Sequence, residues 1–183
     1  MCLEAGATVR ENVKLRDLNV AVPAGDEREL EVLATGLPCL AGAQLAVDVT
    51  LRSPVTGAGV PHARAATTNA VAANAARADK EGKYPELTSS GRCVLIVVAL
   101  ETGGRFSEET SNFLRDLSFA RAREAPPIMR SSAQHAWHRR WLRLLACTAA
   151  RAWCHAVISP TQSTVLSEGE GAAPDLADLT ARG

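Results

Sequence analysis

Aromatic residues are scarce in this chain: 4% of 183 positions, with a single tyrosine. Leu, Val and Ala must therefore fill most of any core, and at 46% hydrophobic residues there are enough to do so. This length suits one domain. Net charge is missing as well, since 20 Lys and Arg balance 20 Asp and Glu. That argues against a simple polybasic nucleic-acid binder. The charged share of 22% is ordinary, so wholesale disorder is not expected. Of the five cysteines (Cys2, Cys39, Cys93, Cys147, Cys154) no two are spaced C-x-x-C, which leaves no signal for a zinc module. The odd count and the lack of a secretory signal predict reduced thiols inside a cell. No apolar run approaches the roughly 18 residues of a membrane span, so no membrane partner is expected. Gly103-Gly104 lacks the Lys-Ser/Thr that follows a Walker glycine, and no small-molecule cofactor is expected. Ser53 and Ser107 have no neighbouring His to activate them, so a hydrolase triad has no support.

What is present is an alternation of strand and helix signals. Val13 to Val22 alternates in part, as a half-buried strand does, with Asp17 in its middle. Glu29 to Thr35 reads as a short strand or a helical turn. Gln44 to Leu51 puts Leu45, Val47, Val49 and Leu51 on one face and Asp48 on the other, beside Ala46 and Thr50. Ala63 to Lys80 is Ala-rich without internal Gly or Pro and predicts a helix, ended near Gly82 and blocked by Pro85. Cys93 to Glu101 is a continuous apolar run ending in a carboxylate, the pattern of a central strand covered on both faces. Ser107 is placed to cap a helix with Glu108 and Glu109 in its first turn. Ser131 to Ile158 carries Trp137, Trp141, Leu144, Leu145, Thr148 and Ala152 at three- and four-residue steps. The expected class is α/β, with a small mixed sheet flanked by helices and two C-terminal helices. The division expected is a ragged start over 1–12, the α/β domain over 13–158, and a loose polar tail over 159–183.

Four groups could carry chemistry. Asp17 and Asp48 each lie mid-strand, Lys80 and Tyr84 form K-x-x-x-Y, and Glu101 ends the most hydrophobic strand. A carboxylate inside an apolar strand is costly unless something pairs with it. A metal ion is one such partner. Mg²⁺ takes oxygen ligands and keeps several waters, so two or three converging carboxylates suffice. In phosphodiester hydrolysis such an ion polarises the phosphoryl oxygen and helps generate hydroxide, and a nearby Lys orients water or neutralises the phosphate. Each signal also has a plain structural reading. Asp17 can be a satisfied edge residue, Lys80 a residue suited to a helix C-terminus, and Tyr84 a packing side chain. Glu101 can cap the Gly103-Gly104 turn or pair with an Arg. His135 and His138 are spaced H-x-x-H, not the i, i+4 zinc pattern, and are expected at the surface.

The charge distribution is less even than the total. Arg outnumbers Lys 17 to 3, and from Arg115 to Arg151 eight Arg face only Asp116 and Glu124. Such a segment can meet phosphate, with Arg139, Arg140, Arg143 and Arg151 the candidates for the DNA backbone. A solvated helix face accounts for the same residues.

The stretches GLPCLAGAQLAVDVTLRSPVTGAG, KEGKYPEL, ALETGGRFSEETSNFL and AWHRRWLRLLACTAARA resemble a recurrent C-terminal segment of protist retrotransposon reading frames. That segment lies downstream of the reverse transcriptase. It is similar to the restriction-like endonuclease of site-specific non-LTR elements, within the PD-(D/E)XK superfamily. The resemblance runs from about Val9 to about Ala181. It implies a restriction-endonuclease-like fold and a Mg²⁺- or Mn²⁺-dependent nicking activity on DNA, in the nucleus, in a fragment truncated from a longer protein. By position it gives Asp17 and Asp48 as metal-binding acids and Lys80 as the catalytic lysine, moved onto the helix. Tyr84 falls on the family's aromatic, and Glu101 on a further acid. Asp17 follows Arg16 where the family's strand usually reads Pro-Asp. The alternative is a catalytically inactive remnant that serves as a nucleic-acid-binding or interaction module.

Overall fold

Hydrophobic alternation at a period of two builds one open sheet. In the computed structural model, which describes residues 1–18, 20–39, 42–88 and 90–158, the strands are β1 (Thr8–Lys14), β2 (Glu29–Thr35), β3 (Gln44–Arg52) and β4 (Cys93–Glu101). They lie in the order β1-β2-β3-β4. β1 and β2 pair antiparallel, as do β2 and β3, whereas β3 and β4 run parallel. A parallel pair cannot be joined by a tight turn. The crossover between β3 and β4 therefore carries α1 (Val71–Lys83) and the short α2 (Pro85–Thr88). After β4 come α3 (Glu108–Ala122) and α4 (Arg130–Ile158). The class is mixed α/β, as expected. The tail over 159–183 lies outside the described residues.

Each face of the sheet has its own core. Leu45, Val47 and Leu51 of β3 and Ile96, Val98 and Leu100 of β4 pack on α3 and α4. Ala46, Leu95, Val97 and Ala99 face α1, where Ala73 and Ala76 leave room for close approach, and Tyr84 and Leu87 beyond it. β4 supplies both cores, which is why it reads as an unbroken apolar run. Over β1 and β2 the α3/α4 layer stops short, leaving an apolar groove of about 640 Å³ between Val9, Val32, Val49 and Leu117.

β4 ends the sheet, yet its outer edge is not free. Arg77 donates to the Leu95 carbonyl at 2.9 Å, Val97 N–H donates to Glu109 at 3.1 Å, and Ala99 N–H donates to the Thr110 hydroxyl at 2.8 Å. Side chains of α1 and α3 thus take the hydrogen bonds that an added strand would need.

Two expected boundaries move. The first strand is Thr8–Lys14, which begins inside the start expected to be ragged over 1–12, and not Val13–Val22. Asp17 is not mid-strand; it ends the 3₁₀ turn Leu15–Asp17. The apolar anchors Leu15 and Leu18 are three apart, which suits a turn, while β1 is an edge strand whose outward polar residues hide its period. The start is further fixed by Glu4, which accepts from the Trp141 indole at 2.7 Å and from Arg140 at 3.0 Å. The predicted helix from Ala63 begins only at Val71. Arg64 and Ala70 have φ of 67° and 54°, outside helical backbone.

The sheet also changes face in mid-course. Val9 packs with the α3/α4 core and Val13 with the α1 core, although even spacing would put both on one side. The same holds for Val32 and Leu30 on the paired strand. Between them Asn12 has φ 51°. The named register passes from Glu11↔Val32 to Val13↔Leu30, and the β2–β3 ladder stops at Val32↔Val47. β2 and β3 therefore part just where Glu31 stands beside the second half of β3.

Candidate functional site

β3 alternation sends Asp48 toward α1, into a layer otherwise built of Ala, Leu and Val. Its side chain is 1% exposed. An ionised carboxylate there needs compensation, and the K-x-x-x-Y pair supplies it. Lys80, in the last turns of α1, brings Nζ to 2.6 Å from Asp48 Oδ2. Tyr84, the residue that ends α1, shares its one hydroxyl proton between two acceptors, the Glu29 carbonyl oxygen at 2.9 Å and Asp48 Oδ1 at 3.2 Å. Positions 80 and 84 are one helical turn apart, so both reach the same carboxylate. Asp48 comes from a strand more than thirty residues before the Lys80–Tyr84 turn, and the three side chains are buried together.

A second carboxylate stands at the parting of β2 and β3. Glu31 Oε2 accepts from Val49 N–H at 2.8 Å, taking the place of a ladder partner next to Asp48. Its other oxygen is buried. Sequence reasoning passed over Glu31. The signal was available, because a carboxylate inside ELEVLAT is as anomalous as one inside QLAVDVTL. Lys83 lies over the Tyr84 ring at 5.0 Å and adds positive charge at the same end of α1. Arg28 joins this end to the start of β2: it binds Asp26 and Glu86 at 2.5 and 2.7 Å and donates to the Lys83 carbonyl. It holds the Glu86 carboxyl below its usual range by hydrogen bonding.

Asp17 is not brought to this cluster. It is exposed, and among the described residues it makes no hydrogen bond or ion pair. Glu101 lies on the α1 side of the sheet but at its far end, beside Arg52 in register. One of its oxygens accepts from Ala72 N–H at 2.9 Å. α1 has no side-chain cap of its own, so Glu101 caps it from across the fold and sets a negative charge at the positive end of the helix. Arg105 approaches its other oxygen only to 3.9 Å. Of the expected site residues, the structure brings together Asp48, Lys80 and Tyr84, and sets Asp17 and Glu101 apart.

Asp48 and Glu31 carry carboxylate oxygens, the ligand type that a hard divalent cation such as Mg²⁺ takes. Two carboxylates from adjacent strands offer oxygen, which Mg²⁺ accepts with water and substrate completing its shell. Among the described residues no group of three or more His, Cys, Asp or Glu is gathered as a cage. Asp48 and Glu31 are the pair that would hold such an ion.

Arg139, Arg140, Arg143 and Arg151 are exposed on α4. Arg140 is engaged by Glu4 and stacks near Trp137, which has Arg121 on it as well, at 5.8 and 5.2 Å. The other three make no ion pair among the described residues. All four ride on the layer across the sheet from Asp48.

Compared with known proteins, the chain matches no family model, and no curated protein or solved structure is detectably similar to it. No helix among the described residues is long and apolar enough to cross a membrane.

Proposed function

We propose that this chain is a metal-dependent DNA endonuclease domain of the restriction-like, retroelement type, centred on Asp48. The observation that carries the reading is the buried cluster itself: Asp48 at 1% exposure, with Lys80 at 2.6 Å and Tyr84 at 3.2 Å. For stability alone, apolar side chains of the same volume serve as well or better than a buried ion pair. Keeping Asp, Lys and Tyr together in an apolar layer is therefore better explained by chemistry. The mixed sheet flanked by helices is compatible with the fold that the sequence resemblance implies. Glu31 takes the place of Asp17 as the second acid in this reading, because it stands beside Asp48 and Asp17 does not.

A bound Mg²⁺ or Mn²⁺ supplies charge neutralisation on the scissile phosphate and a water of lowered pKa. Asp48 and Glu31 hold that charge in place. Lys80 offers its ammonium to a phosphate oxygen or to the attacking water, and Tyr84 fixes the orientation of the Asp48 carboxylate. The reaction is hydrolysis: water oxygen bonds to phosphorus, the phosphorus–oxygen bond to one strand end breaks, and the departing oxygen takes up a proton.

Purified protein tests this on supercoiled plasmid with Mg²⁺ or Mn²⁺, beside Asp48→Ala and Lys80→Ala. Metal-dependent nicking that both variants lose is the expected result. A folded wild type that leaves the plasmid closed sinks the reading.

One observation favours the second reading, nucleic-acid binding without cleavage. Arg139, Arg143 and Arg151 are exposed and make no ion pair among the described residues on the layer away from Asp48, so backbone contact there does not need the buried cluster. In that case heparin retention persists in EDTA, falls with salt and is weakened by Arg143→Glu, while plasmid stays intact.

A further inference from the structure

Asp48 already carries a cation. Lys80 Nζ lies 2.6 Å from Oδ2, and the Tyr84 hydroxyl lies 3.2 Å from Oδ1, so both oxygens are engaged from the α1 side. Asp48 is 1% exposed and Lys80 10%, so solvent screens this pair little. A divalent ion and an ammonium cannot share one carboxylate oxygen at contact distance without strong mutual repulsion. Lys80 carries its ammonium on a flexible four-carbon stem and has the reach to swing; Asp48 sits in a strand paired on its β4 side over every residue from Gln44 to Arg52 and does not.

We propose that Lys80 is a displaceable internal counter-ion: its ammonium closes the Asp48 site, and it must leave Oδ2 before a divalent cation is held there. This rests on the metal-dependent reading above and adds a regulation to that same site. Metal affinity is then set by competition with Lys80 and not by the number of acids alone. Once displaced, the ammonium is available to a phosphate oxygen, so cation binding and readiness of the lysine are coupled. Tyr84 is a neutral donor and exerts no such competition; it positions the carboxylate.

Mn²⁺ binding by calorimetry, with the Mn²⁺-induced rise in melting temperature as a second readout, tests the idea in the full chain. The variants are Lys80→Met, Lys80→Gln, Tyr84→Phe and Asp48→Asn. Lys80→Gln keeps a donor for Asp48 while removing the charge, and it stands in for Lys80→Met if that variant is poorly folded without metal. The expected result is Mn²⁺ affinity raised about tenfold or more in the Lys80 variants, with a larger melting-temperature gain than wild type. Tyr84→Phe should change affinity by only about two- to threefold, and Asp48→Asn should abolish binding. Equal affinity in wild type, Lys80→Met and Lys80→Gln, with loss in Asp48→Asn, overturns the counter-ion proposal and leaves the metal site standing. Absence of Mn²⁺ binding in every variant overturns both.

Discussion

Lys80 and Asp48 form a buried ion pair, Nζ to Oδ2 at 2.6 Å, that clamps the C-terminal half of α1 onto the centre of the sheet. Removing one partner leaves the other charged and desolvated. Asp48→Ala is expected to cost about 3–5 kcal/mol, read by chemical denaturation. Asp48→Asn combined with Lys80→Met removes both charges and should recover most of that loss. A single variant as stable as the double one would show that the ion pair does not clamp α1 to the sheet.

Glu101 should act on α1 and not on its own turn. Its carboxylate accepts from Ala72 N–H in a helix that lacks a local cap. Glu101→Ala is expected to lower stability by about 1–3 kcal/mol. Hydrogen exchange should quicken first at the amides of residues 72–74, with β4 itself changing less. Uniform acceleration across the sheet would contradict the capping role.

The blocked edge of β4 gives a prediction about association. Thr110 and Glu109 accept from Ala99 and Val97 N–H groups. In Glu109→Ala combined with Thr110→Val those donors are exposed on an apolar edge strand, a template for pairing with another chain. Light scattering should report concentration-dependent association that wild type lacks. A variant that stays at the wild-type mass would mean that α3 shields the edge by bulk alone.

Acid should weaken the fold in two stages. Burial, with Arg115 and His135 nearby, holds the His138 imidazole below its usual 6.5. The Trp141 indole, with Arg140, holds the Glu4 carboxyl below 4.5. Both groups have folded values below their unfolded ones. Each therefore contributes stability that is complete above the unfolded value and lost as pH falls toward the folded value. Stability should decline from about pH 6.5 through His138, then again below about pH 4.5 through Glu4. His138→Gln should flatten the first decline, and Glu4→Gln should lessen the second, which Glu86, Asp26 and Glu27 share because their carboxyls are also held low. An unchanged profile in either variant would assign that stage to another group.

Much of the fold was legible because its strands alternate and its helices are punctuated. β4 runs Cys93–Glu101 and β3 Gln44–Arg52, matching the apolar patterns nearly residue for residue, and Ser107 caps α3 by accepting from Thr110 N–H at 3.1 Å. The K-x-x-x-Y spacing was legible too, since two residues four apart on a helix must share a face. β1 was missed because an edge strand with Arg10, Glu11 and Lys14 exposes the polar residues that mask its period. Glu31 was missed because its meaning depends on where β2 leaves β3.

The sequence by itself determined the class of the fold, the two-sided burial of β4 and the pairing of Lys80 with Tyr84, since all of these follow from local periodicity. Only the tertiary structure decided which carboxylate each of them meets. Asp17, Glu31, Asp48 and Glu101 are alike as acids near strands. Strand order and register sort them: Asp48 beneath Lys80, Glu31 against Val49, Glu101 at the helix start and Asp17 in solvent. Long-range register is set by the simultaneous burial of two apolar faces, a property of the assembled sheet that no single segment encodes.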